Sequence, residues 1–155
     1  MTQTPELLAG LDAVERTEVL ALASPLTLSP GEVLFRLGAD ATSLYLIERG
    51  LIALTMPMQI SGHEEDVLID ERVAGQTVGW STVIPPHRFT LKATAPVSTD
   101  LLAFSREKLV SHFATRPRVG YVLSQNVAMI VGQRLQVFQA MWLRQMQRMV
   151  NLTHA

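Results

Sequence analysis

The spacing of apolar positions changes period twice along the chain. In "TPELLAGLDAVERTEVLALA", Leu7, Leu8, Leu11, Val14, Val19 and Leu20 recur at roughly helical intervals. This predicts one or two short amphipathic helices within residues 1–25, capped by Thr4 or Asp12. From Leu26 the runs shorten. "EVLFRLG", "SLYLIERG", "LIALTM", "DVLIDERVAG", "RFTLKATA" and "VSTDLLAFS" are β-branched and aliphatic stretches. Pro30-Gly31, Gly38, Gly50, Gly62, Gly75 and Pro85-Pro86 separate them, so residues 26–105 are expected to be strands and turns. Many short strands with no helix between them favour an antiparallel sandwich or β-jelly-roll (a double-stranded β-helix) over a parallel βαβ fold. Gly50 suits a tight turn with positive φ.

Helical spacing returns over residues 106–150. Ser105 is a fitting N-cap for "REKLVSHF", and Pro117 falls in the first turn of a longer helix spanning about 118–149. Val127, Val131, Leu135, Phe138, Trp142, Met146 and Met149 step by three or four residues, a candidate coiled-coil seam. A small barrel cannot cover a helix of that length, so pairing with a second copy, as a twofold homodimer through residues 118–149, is expected. The whole reads as one domain, mainly β with flanking helices, over residues 1–155.

Composition narrows the chemistry. The 155 residues are 48% hydrophobic and hold no cysteine. Disulfides, thiolate metal sites and a cysteine nucleophile are excluded, which fits a reducing compartment. "MTQTPELLAG" has no basic start and no long apolar run, so no secretory signal is expected and a cytoplasmic location is. The most apolar helical window is broken by Gln133, Arg134, Gln136 and Gln139, so no membrane span is expected. Charge is lopsided. Up to Glu107 the chain carries seven basic and fourteen acidic residues, net −7; beyond it come Lys108, Arg116, Arg118, Arg134, Arg144 and Arg148, net +6. Such a tail either meets a nucleic acid or an acidic partner, or faces acids of its own fold or of a twin subunit. The dispersed spacing favours the second.

"PGEVLFRLGADATSLYLIERGLIAL" and "RVAGQTVGWS", with turn glycines at 31, 38, 50, 75 and 79, resemble the cyclic nucleotide-binding domain of the catabolite activator and FNR-type regulators. "QRLQVFQ" is similar to the ligand-facing part of that family's long helix. The resemblance covers roughly residues 5 to 150 and implies a phosphate cassette at residues 78–90. In the family, backbone N–H groups at a helix start and a loop arginine hold the phosphate, and a glutamate takes the ribose hydroxyl. Here Gly79 is kept, Trp80 stands at the glutamate position, and Ser81 follows. Arg88 is the cassette arginine if one residue of slippage is allowed; strict counting puts His87 there and Arg88 at the place of the small hydroxyl residue. Arg134 matches a family arginine on the helix, and Phe138 and Gln139 occupy the base-contacting positions. The resemblance therefore implies a ligand site of Gly79, Trp80, Ser81, His87, Arg88, Thr90, Arg134, Phe138 and Gln139. A cyclic nucleotide, cAMP or cGMP, is the candidate ligand. Trp80 stacks on Arg134 as a cation–π pair or else packs the core.

Enzymatic chemistry is not expected. His63, His87, His112 and His154 make no H-x-H pair and no metal site, and no G-x-S-x-G, P-loop or G-x-G-x-x-G pattern occurs. Glu64, Glu65, Asp66, Asp70 and Glu71 read as hairpin tips and exposed strand faces. The chain ends six residues after Met149, leaving no room for a helix-turn-helix, so direct reading of DNA sequence is not expected. Two functions stay open. One is a sensor that binds a small anionic ligand and signals through its C-terminal helix. The other is a ligand-free dimeric interaction module that meets a protein partner through "QAMWLRQMQRM".

Overall fold

A computed structural model describes residues 3–155. A single 3-10 turn over Glu6–Leu8 buries Leu7 and Leu8. Asp12 then starts α1 (Ala13–Leu20) through a capping box. Its carboxylate accepts from Glu15 N at 2.8 Å, and Glu15 accepts from Asp12 N at 3.0 Å. Eight strands follow: β1 (Ser24–Leu28), β2 (Val33–Phe35), β3 (Ser43–Arg49), β4 (Leu51–Ile60), β5 (His63–Val73), β6 (Thr77–Val78), β7 (Lys92–Thr94) and β8 (Thr99–Ser105). They form two antiparallel four-stranded sheets, ordered β1-β8-β3-β6 and β2-β7-β4-β5. This is the β-roll with flanking helices that the apolar pattern predicts.

Several boundaries differ from the sequence reading. β1, "SPLTL", carries Pro25 on a sheet edge and is exposed except for Leu28, so it has no strand-like alternation. β6 is only two residues long. "EVLFRLG" and "RFTLKATA" are extended only over Val33–Phe35 and Lys92–Thr94. β5 begins at His63, so His63, Glu64 and Glu65 lie on a strand and not in a loop.

Strand alternation splits the core in two. On β3, Tyr45 and Ile47 face the inside of the roll with Phe35, Ile52, Leu54, Phe89 and Leu101. Leu44 and Leu46 face the helices with Leu7, Phe104, Leu109, Leu123 and Val127. Gly50, at φ 101°, joins β3 to β4. A Cβ there would lie 2.5 Å from Thr99 Oγ1 and 2.7 Å from the Ser98 carbonyl, so only glycine fits.

Ser105 Oγ accepts from Lys108 N and caps α2 (Arg106–Thr115). α3 (Pro117–Thr153) opens on Pro117 and runs 37 residues. Asn126, buried on α3, donates its amide N–H groups to the carbonyls of Leu7 and Ala9 at 2.8 and 2.9 Å, tying the N-terminal segment to the helix. Arg116 pairs with Glu18, Arg118 with Glu15 and Arg134 with Asp70. Half of the basic tail thus answers acids of its own fold.

The seam of α3 is offset from the expected one. Val127 is buried, and Val131 and Phe138 are partly buried, all against this chain's own core. The roll already covers that side. Leu135, Trp142, Met146 and Met149 are exposed. With Tyr121 and Ala128, three of these form a strict seven-residue series, Tyr121, Ala128, Leu135, Trp142 and Met149, along an uncovered face. Among the described residues, no helix is long and apolar enough to cross a membrane.

Candidate functional site

Where α3 crosses the mouth of the roll, a cavity of about 20 Å³ remains. Phe35, Leu54 and Phe89 form its apolar wall; Thr77, Ser81 and Arg134 form its polar wall. The phenyl rings of Phe35 and Phe89 stack with centroids 3.7 Å apart and planes 9° from parallel. Gly79 turns the chain into the floor at φ 86°. A Cβ there would sit 3.1 Å from the Ser43 carbonyl and 3.3 Å from the Phe89 ring. A 3-10 turn over Trp80–Thr82 follows and buries Ser81 and Thr82. Trp80 lines the cavity and packs against the core beneath the helices.

Arg134 reaches this cavity from α3 with a side chain only 8% exposed. Its Nη2 lies 3.5 Å from Asp70 Oδ2, and the same oxygen lies 4.0 Å from Arg72 Nη1. Glu6 Oε1 accepts from Arg72 Nη2 at 2.5 Å and from Thr77 N at 2.8 Å. Arg134 Nε and Nη1 and Thr77 Oγ1 have no hydrogen-bond partner among the described residues. Burial holds the Arg134 guanidinium below its ordinary pKa; Asp70 opposes this and Arg72 adds to it. An arginine stays charged through such a shift. Each buried, unmatched donor costs about 1–3 kcal/mol, more on a charged group. The cavity therefore presents donors and favours an acceptor.

Asp70 and Arg72 face inward because they pair with Leu54 and Ile52, both buried. The ladder steps from Leu54↔Asp70 to Thr55↔Leu68, leaving Ile69 as a bulge that resets which residues face the roll.

The structure gathers some of the sequence-derived site residues and disperses others. Gly79, Trp80, Ser81, Thr90 and Arg134 border the cavity. Arg88 does not. Its side chain is 61% exposed, its Nη1 lies 3.2 Å from Asp40 Oδ1, and it donates to the Gly38 carbonyl at 3.1 Å. His87, at φ 58°, turns its Nδ1 to the Ser81 carbonyl at 3.1 Å. Phe138 packs on the core of the roll, and Gln139 is exposed. Arg134 is not stacked on Trp80; its counter-ion is Asp70. Glu6, Asp70, Arg72 and Thr77 are neighbours of the site that the sequence reading did not include. Asp70 and Arg72 sit among other charged residues of β5, and Glu6 and Thr77 lie elsewhere, so no sequence signal singled this set out. Among the described residues, no group of three His, Asp or Glu side chains could hold a metal ion.

The model of the cyclic nucleotide-binding domain matches residues 25–116. The N-terminal domain of a transcriptional regulator from Streptomyces coelicolor A3(2) is similar at 26% identity, over 83% of this chain and 89% of its own, with a TM-score of 0.69. The catabolite activator protein of Thermus thermophilus is similar at 22% identity and a TM-score of 0.73, over 92% of this chain and 63% of its own. No curated protein matches the chain.

Proposed function

The chain belongs to the cyclic nucleotide-binding domain family, and from that premise we propose that it is a regulatory sensor for a small anionic ligand. Arg134 carries this reading. It is a buried cation whose Nε and Nη1 are unpaired beside a cavity. An acceptor in the cavity satisfies donors that otherwise cost stability. Because Arg134 belongs to α3, a bound anion changes how firmly that helix is held to the roll. The signal requires that the anion bind the two helix positions with different affinity. In this reading the receiver is a second copy, packed along Tyr121, Ala128, Leu135, Trp142 and Met149. Gly132 supports that packing, because a Cβ there would meet nothing within 4 Å in this chain.

The test is thermal unfolding with a panel of anions, cyclic mono- and dinucleotides included, on wild type, Arg134→Gln and Arg88→Ala. A ligand at a hundredfold excess over its Kd stabilises by about 2.7 kcal/mol. The expected result is a ligand-dependent rise in Tm that disappears in Arg134→Gln and persists in Arg88→Ala. If no anion moves the Tm of folded, dimeric protein, the sensor reading fails. The helix surface "QAMWLRQMQRM" is then the functional element.

A further inference from the structure

Resting on the anion-sensor reading, and narrowing its guest, we infer that the Arg134 cavity takes a compact monovalent anion that replaces Asp70 at the guanidinium. The guest is the size of chloride, formate or nitrate.

Size is the first argument. A cavity of about 20 Å³ holds one or two water molecules. Nucleotide-sized ligands occupy pockets of about 300 Å³ or more. The stacked Phe35 and Phe89 rings and the Trp80 indole fill the surrounding space.

Chemistry is the second. Two unmatched atoms of a residue lining the cavity, Arg134 Nε and Nη1, can only donate, and the unmatched hydroxyl of Thr77, which lines the same cavity, can donate as well. Donors select an acceptor-only guest.

Charge balance is the third. Two buried arginines, Arg72 and Arg134, face two carboxylates, Glu6 and Asp70. Glu6 is committed, since one oxygen serves both Arg72 and the Thr77 amide. Asp70 lies 3.5 and 4.0 Å from the two guanidinium groups without a hydrogen bond to either, and its other oxygen accepts only from Glu71 N, its own strand neighbour, at 2.9 Å. Of the two carboxylates it is therefore the one whose departure breaks no hydrogen bond to Arg72 or Thr77. A monovalent guest that takes its place keeps the buried charge at zero; a dianion leaves an excess negative charge in a desolvated site. The exchange also frees the β5 contact that holds α3.

The experiment is an NMR titration of the full ¹⁵N-labelled chain with sodium formate, sodium gluconate keeping ionic strength constant. The Arg134 Nε–H and the Trp80 indole N–H are expected to shift saturably. The Nε–H of Arg49, whose side chain is 84% exposed and lies outside α3, is the control for general salt effects and is expected to show no saturable shift. Asp70→Asn removes the competing carboxylate and is expected to tighten formate binding by roughly tenfold. It is also the informative variant should Arg134→Gln fail to fold. Unmoved Arg134 and Trp80 signals with formate, nitrate and chloride, alongside a response to cAMP or cGMP, overturn the compact-anion inference and leave the sensor reading standing. No response to any of these anions removes both. Weaker formate binding in Asp70→Asn refutes the exchange.

Discussion

The inward and outward faces of α3 are both apolar, yet only one is covered. Inward, Val119, Leu123, Val127 and Ile130 are buried, and their spacing follows the ordinary turn of a helix lying on its own domain. Outward, Tyr121, Ala128, Leu135, Trp142 and Met149 are exposed, with Trp142 at 62%, and they recur every seventh residue. Seven-residue recurrence suits a partner helix; the 3.6-residue period suits a stationary surface. The difference separates a covered packing face from an exposed apolar face on the same helix. Arg134, the residue the proposed ligand reading rests on, belongs to the covered side, and the other surface is uncovered in the subunit.

The largest test of that contrast sets Leu123→Ala against Trp142→Ala. Leu123 is buried among both helices and the N-terminal turn, so its truncation is expected to cost about 2–5 kcal/mol in chemical denaturation. Trp142→Ala should leave unfolding of the isolated subunit within about 0.5 kcal/mol of wild type. It should weaken self-association at least about tenfold by analytical ultracentrifugation. Equal effects of the two variants on both measurements would erase the distinction between the faces.

Gly132→Ala gives a smaller and sharper signal because its two effects oppose. Its Cβ enters open space, so alanine is expected to stabilise the dilute subunit by about 0.5–1 kcal/mol through helix propensity. At concentrations where copies pair, the added methyl separates the helices and weakens the dimer. A stabilising effect in both regimes would move the crossing point away from Gly132.

The smallest effect belongs to the exposed pair at the base of the helices. The Arg116 guanidinium, donating at 3.0 and 3.3 Å, holds the Glu18 carboxyl below its ordinary 4.5. A depressed carboxyl contributes stability above its unfolded pKa and loses it as pH falls through the folded value. Arg116→Gln is therefore expected to melt slightly below wild type at neutral pH and together with it once the pH has fallen below the lowered Glu18 pKa. A gap that widens on acidification would reverse the assigned sign.

Much of the architecture was legible because it is written in period and punctuation. Alternating runs broken by glycine and proline identified the roll, and Ser105 and Pro117 marked the two C-terminal helices. Two strands escaped for local reasons: Pro25 disguises β1, and β6 is too short to alternate. The candidate site was less legible. Gly79, Trp80, Ser81 and Arg134 could be named from a motif, but a motif does not say where a side chain points. Arg88 follows two prolines in the expected loop, and its short bridge to Asp40 turns it to solvent. Asp70 could not be read as the counter-ion of Arg134, since its orientation depends on an extra residue, Ile69, in a ladder that only pairing reveals. The heptad was present in the string all along. It was obscured by a competing apolar stripe about one residue away, and only burial distinguishes the two.

The length of α3 gives the Arg134 contact mechanical leverage. From Arg134 to Thr153 the helix rises about 28 Å, so a tilt of about 5° pivoting at the cavity sweeps its far end through roughly 2.5 Å. That sideways stroke is about a quarter of the roughly 8–10 Å between packed helix axes, enough to loosen the seam with a neighbouring rod. Asn126 ties α3 to the Leu7 and Ala9 carbonyls on the N-terminal side of Arg134, so in the proposed sensor a tilt would leave the N-terminal turn in place and move the distal end of α3 most.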